Sequence, residues 1–128
     1  MIAVSFDHLH LRSPDPDEAA RFYVECLGGR VSDRIEGPES LRVVVQLGDV
    51  RLFIERVRAD TRAGAIPPHR GLEHLGLLVA DLDAAAAELR GKGVPFTLDP
   101  KEVRAGLKIA FIRGPDDVSI ELLERSGG

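Results

Sequence analysis

Two histidines and one glutamate are the side chains of this 128-residue sequence with the most chemistry to offer. His8 lies in FDHLHL, His74 lies in LEHLGL, and Glu121 lies in VSIELL. Side chains of a strand alternate between its faces, so His8, His10 and Arg12 point together while Leu9 and Leu11 point away. In the last of these segments Ser119, Glu121 and Leu123 share a face, and Val118, Ile120 and Leu122 take the other. Glu121 is then a single carboxylate among apolar neighbours, and a buried carboxylate is costly unless it is paired or bound to a metal. Imidazole and carboxylate groups of this kind coordinate metals and carry protons. There is one cysteine, Cys26, so neither a disulfide within the chain nor a cysteine zinc knuckle can form. Any metal site must use His and carboxylates.

The elements that position these residues follow from an internal repeat. FDHLHLRSPDPDEAARFY, residues 6–23, lies over LEHLGLLVADLDAAAAEL, residues 72–89, ungapped at an offset of 66. His8 falls on His74, Leu9 on Leu75, Leu11 on Leu77, Asp15 on Asp81 and Ala19 on Ala85, and the acidic residues Asp7 and Glu73 also coincide. Each copy opens with a strand-like run, residues 4–11 or 72–79, and continues with helical spacing rich in Ala and Leu. Asp15 or Asp17 caps the first helix and Asp81 the second, with Pro16 suited to a first helical turn. Gly28 and Gly29 stop the first helix, and Gly91 or Gly93 the second. Three further strands follow in each copy, near 30–36, 41–47 and 50–57, and near 95–98, 107–112 and 118–123. The expected fold is α+β, one domain over 1–128 built of two βαβββ modules. Module 1 covers about 2–58, a Gly- and Pro-containing linker covers 59–71, and module 2 covers about 72–124.

Composition narrows the function classes. Hydrophobic residues make up 44% and charged residues 30%, an ordinary globular balance. The formal charge of -4 comes without a basic block, which excludes an electrostatic footprint for nucleic acid. No apolar run approaches the roughly 18 residues of a membrane helix, and the opening MIAVSFDHLH has no basic stretch before an apolar one. A cytoplasmic protein without membrane partners is expected.

The segments FDHLHLRSPD, AARFYVECLGG, GLEHLGLLVADLDAAAAELRGKGV and AFIRGPDDVSIELLE resemble the vicinal oxygen chelate superfamily over essentially the whole chain. That superfamily includes glyoxalase I, methylmalonyl-CoA epimerase, extradiol dioxygenases and antibiotic resistance proteins. The resemblance implies paired modules whose curled mixed sheets enclose a divalent metal (Zn, Ni, Co, Mn or Fe). His8, His74 and Glu121 match the ligand positions, and two histidines with a carboxylate are a suitable set. Asp117 stands where glycine is usual in the final hairpin. A fourth ligand in glyoxalase-like members falls in the last strand of module 1, where two registers are open. The offset of 66 sets Glu55 on Glu121, whereas alignment on the hairpin sets Phe53 there and keeps Leu52 and Ile54 facing the helix. Arg12 matches an arginine that binds substrate carboxylate, and His10 shares the face of His8 as an acid/base candidate.

The reaction so implied is metal-dependent proton transfer by a lyase or isomerase of glyoxalase or epimerase type, with Glu121 as ligand and base. Its substrate is a small, anionic molecule with neighbouring oxygens. An extradiol-type dioxygenase is the alternative within enzymes, and a metal-free binding or sequestering protein is the alternative outside them. The sequence contains no Asn, which departs from the glutathione-binding pattern of glyoxalase I. Short relatives of this kind are homodimers with a shared site, which is the assembly expected here.

Overall fold

The computed structural model describes residues 1–126. The chain forms two compact units, Met1–Arg62 and a second beginning at Ala63. Each is a βαβββ module. In the first, β1 (Leu9–Ser13) and α1 (Pro16–Leu27) precede β2 (Arg30–Glu36), β3 (Leu41–Leu47) and β4 (Val50–Arg56). In the second, β5 (Leu75–Leu78) and α2 (Leu82–Gly91) precede β6 (Phe96–Arg104), β7 (Leu107–Arg113) and β8 (Ser119–Arg125), with a short 3-10 turn at Pro115–Asp117. The sheet orders are β1-β4-β3-β2 and β5-β8-β7-β6. The first strand of each module runs parallel to the last, and the other pairings are antiparallel.

Local chemistry explains both helices. The carboxylates of Asp15 and Asp81 accept from the backbone N–H of Glu18 and Ala84, satisfying donors that a helix leaves open at its start. Helix α1 ends at Gly28, whose φ of 73° is the left-handed value that glycine adopts without strain. Each helix lies on one face of its own sheet. Ala19, Ala20 and Tyr23 are buried with Val43, Val45, Leu52 and Ile54, and Leu82, Ala86 and Leu89 with Ala110, Ile112, Ile120 and Leu122. Burying one such Leu or Ile contributes roughly 1.5–3 kcal/mol.

Three strands differ from their expected bounds. β1 begins at Leu9 because its parallel register starts at Leu9 opposite Leu52, close to where β4 itself begins. β5 is likewise confined to Leu75–Leu78, the stretch paired with Ile120–Leu123. β6 extends to Arg104 through Pro100, since an edge strand tolerates a residue lacking an N–H and the register shifts there between Leu98 and Lys101.

Candidate functional site

In module 2 the parallel pairing of β5 with β8 sets Gly76 opposite Glu121 and brings His74 beside it. His74 Nε2 lies 3.2 Å from Glu121 Oε1, and its Nδ1 lies 3.0 Å from Glu73 Oε1. The ring meets Phe111 edge-on, with centroids 5.0 Å apart. Phe111 is itself the β7 partner of Glu121. The Glu121 side chain is 17% exposed, so this carboxylate is largely withdrawn from water with an imidazole as its polar neighbour. A Cβ added at Gly76 would make ordinary contacts with Leu123 Cδ1 at 3.5 Å and Glu121 Oε1 at 3.8 Å. The hydrogen bond from His74 holds the Glu73 carboxyl below the usual carboxylate range.

Module 1 repeats the imidazole and carboxylate pair and changes what faces it. His8 Nδ1 lies 2.6 Å from Asp7 Oδ2, and the His8 ring stacks on Phe53 with centroids 3.9 Å apart and planes 11° from parallel. Phe53 pairs with His10 across β1 and β4 and with Val44 across β3 and β4. These pairings make Phe53 the counterpart of Glu121, and Val44 the counterpart of Phe111. Of the two registers open in the sequence, the fold adopts the one with Phe53. The two added residues of module 2 are divided, one before β7 and one in the β7–β8 turn.

Glu55 is therefore displaced from the position of Glu121, and its counterpart is Leu123. Its Oε1 accepts from Arg42 Nη2 at 2.7 Å and Nε at 3.1 Å, with His10 Nε2 at 3.4 Å. Arg12 Nη1 lies 3.8 Å from Glu55 Oε2. Arg42 holds the Glu55 carboxyl below its ordinary range. Burial, reinforced by the charge of Arg12, pushes the His10 imidazole down. The Arg42 guanidinium also lies over Phe53, 5.0 Å from the ring centroid. Arg12, His10 and Glu55 are thus brought together as a charged cluster, and within neither unit are three or more His, Cys, Asp or Glu side chains gathered to hold a metal among the described residues.

Sequence reasoning missed Arg42 and the carboxylates behind the histidines. The signals were present. Asp7 and Glu73 coincide in the repeat, and Arg42 and Gln46 break the apolar run LRVVVQL at a spacing that assigns both to the face away from α1.

The donor set of module 2 suits a metal. Two ligand atoms each about 2.0–2.2 Å from an ion lie roughly 3 Å apart, close to the His74–Glu121 separation of 3.2 Å. A carboxylate on the far imidazole nitrogen is the usual support of a metal-bound histidine, and both His8 and His74 have one. In module 1 the Glu55 carboxylate pairs with Arg42 and lies 3.8 Å from Arg12 Nη1.

The family model described as Glyoxalase/Bleomycin resistance protein/Dioxygenase superfamily matches residues 5–122. A relative named "Probable lactoylglutathione lyase, chloroplastic" from Arabidopsis thaliana is 30% identical over 92% of this chain and 35% of its own length. The human protein named "Methylmalonyl-CoA epimerase, mitochondrial" is 27% identical over 92% of this chain and 70% of its own length. The chain spans less than half the length of the plant relatives it matches. In fold it is similar to a glyoxylase/bleomycin resistance protein/dioxygenase domain from Frankia sp. EAN1pec, with a TM-score of 0.79, 22% identity and coverage of 98% and 100% of the two chains. Among the described residues no helix is long and apolar enough to cross a membrane.

Proposed function

The chain belongs to the Glyoxalase/Bleomycin resistance protein/Dioxygenase superfamily, and on that premise we propose that it is a divalent-metal-dependent lyase or isomerase of glyoxalase or epimerase type. The observation that carries this reading is the approach of His74 Nε2 to Glu121 Oε1 with Glu73 behind the ring. His74 and Glu121 would hold the ion, with His8, the repeat counterpart of His74, as the proposed third ligand. When bound, a divalent ion supplies Lewis-acid polarisation of a substrate carbonyl. The Glu121 carboxylate is assigned to accept the proton from the carbon next to that carbonyl. Glu121 then returns the same proton to the neighbouring carbon, which leaves the carboxylate as it began. His10 is the second acid/base candidate, and Arg12, with its side chain 57% exposed, is assigned to bind the anionic end of a small substrate. The relatives' names support lyase or isomerase chemistry. Glutathione is left out of the proposal because the sequence lacks the Asn that its recognition uses in glyoxalase I-like proteins.

Zinc titration calorimetry tests the reading. The native chain should bind zinc and His74→Ala should lose detectable binding; unchanged affinity in that variant would refute the site. A ring-cleaving dioxygenase is the second reading, favoured by the register that places Phe53 opposite His10 and leaves three protein ligands where glyoxalase-like members have four. Substrate-dependent oxygen consumption by the iron-loaded chain would establish it over proton transfer. We also propose a homodimer, supported by the exposure of Phe6, Leu72 and Leu78. Light scattering should give twice the chain mass.

A further inference from the structure

A cavity of about 460 Å³ opens on the face of the module 1 sheet away from α1. Its apolar lining is Ile35, Val44 and Phe53, and it is also lined by three arginines, Arg30, Arg42 and Arg51. Ser32 and Gln46 add neutral hydrogen-bonding groups. One carboxylate, that of Asp33, lines it as well and accepts from the backbone N–H of Arg34 at 2.8 Å. Three arginines and one aspartate thus line it, with Glu55 on Arg42 and Asp7 near Arg51 as the adjoining carboxylates.

Arg42 is the prepared member of the three. A guanidinium has five N–H donors in a fixed fork, and Glu55 engages only Nε and Nη2. Both Nη1 donors remain for a ligand, and contacts with Glu55 and the Phe53 ring already hold the group in place. Little side-chain freedom is then lost when an anion binds. Arg51 has a loose neighbour in Asp7, with Nη1 3.7 Å from Oδ1, and Asp7 is largely exposed to solvent. The cavity also borders the candidate metal ligand His8, since His8 stacks on Phe53.

We infer that this cavity binds an oxyanion group, a phosphate or a carboxylate, through Arg30, Arg42 and Arg51, with the adjoining apolar part of the same molecule over Val44 and Phe53. Calling that molecule the substrate rests on the proposed function; the anion site itself does not. The arginines stand on β2, β3 and β4, a different set from Arg12 on β1.

The test is a titration of the full, ¹⁵N-labelled chain with inorganic phosphate, and separately with acetate, at low ionic strength. Saturable amide shifts confined to residues 30–35, 42–46 and 51–53 are expected, and the tighter of the two anions identifies the group. Arg30→Gln and Arg42→Gln should each weaken binding about tenfold or more, as expected for loss of a charge-assisted hydrogen bond. Arg58→Gln, the same charge change outside the cavity, should leave affinity as it was. Arg30→Gln keeps the inference testable should Arg42→Gln misfold by leaving Glu55 without its partner. No saturable shift with either anion, or equal weakening by Arg58→Gln, overturns it. Zinc titration of separate samples keeps the two readings apart. A chain that binds phosphate and not zinc upholds the anion site and removes the metal proposal, and one that binds zinc and neither anion does the reverse.

Discussion

The two modules share a helix-facing wall and differ on the opposite face. Leu52 and Ile54 in β4 correspond to Ile120 and Leu122 in β8, and all four are buried against their helices. On the other face Phe53 answers Glu121, Glu55 answers Leu123, Arg12 answers Leu78 and Arg42 answers Ile109. Module 2 has the Glu121 carboxylate beside the His74 imidazole, with Glu73 on the other ring nitrogen and Phe111 against the ring. Module 1 has a stacked aromatic and a cluster of ionic side chains. The difference is one of environment: apolar surroundings make the Glu121 carboxylate costly unless it is paired or bound to a metal, while Arg42 satisfies the charge of Glu55 through hydrogen bonds.

The largest effect expected from this contrast is on metal affinity. Glu121→Gln should lower zinc affinity on the order of 100-fold or more, exceeding the 10–100-fold typical of a mere supporting partner, whereas Glu55→Gln should leave it nearly unchanged in calorimetry. A comparable loss in both variants would restore Glu55 as a ligand and break the contrast.

A smaller effect distinguishes the two faces by acid. The Glu55 carboxyl is held below its ordinary range, chiefly by its hydrogen bonds from Arg42. Because the folded value is the lower one, its contribution to stability is fully present above the ordinary carboxylate range and is lost as pH falls through the depressed value. Thermal melts from neutral pH downward should therefore show Glu55→Gln losing less stability than the native chain on the acid side. Parallel acid profiles for the two would show that the Arg42 pairing contributes nothing to folding.

The smallest expected effect lies in the matching hairpin turns. Gly48 in the β3–β4 turn has φ 58°, and Asp117 before β8 has φ 61°. Gly48→Ala should cost about 1 kcal/mol, the penalty of a side chain in the left-handed region. Asp117→Gly should fall within about 0.5 kcal/mol of neutral, because relief of that penalty is offset by the greater freedom of glycine in the unfolded chain. Denaturant melts giving equal costs for the two would mean that the turns are strained alike.

Much of this architecture was legible in the residues. The repeat, the order of elements, the caps at Asp15 and Asp81 and the helix stop at Gly28 all arise from contacts a few residues apart, so local types and periodicity determine them. The alternation of Leu52 and Ile54 with Phe53 and Glu55 likewise assigned faces without any knowledge of partners.

Register was different, because a strand specifies its own faces and not which residue lies opposite. A shift of two residues keeps every face and changes every partner, so the sequence left both Phe53 and Glu55 open as the counterpart of Glu121, with the apolar positions of Leu52 and Ile54 only tilting the choice toward Phe53. Only the pairing of β4 with β1 and β3 decided for Phe53, and only the same pairing placed Arg42 and Arg12 against Glu55. The start of β1 at Leu9 was a tertiary outcome for the same reason: a strand exists only where its backbone groups find a neighbour, and that neighbour lies more than forty residues away in the chain.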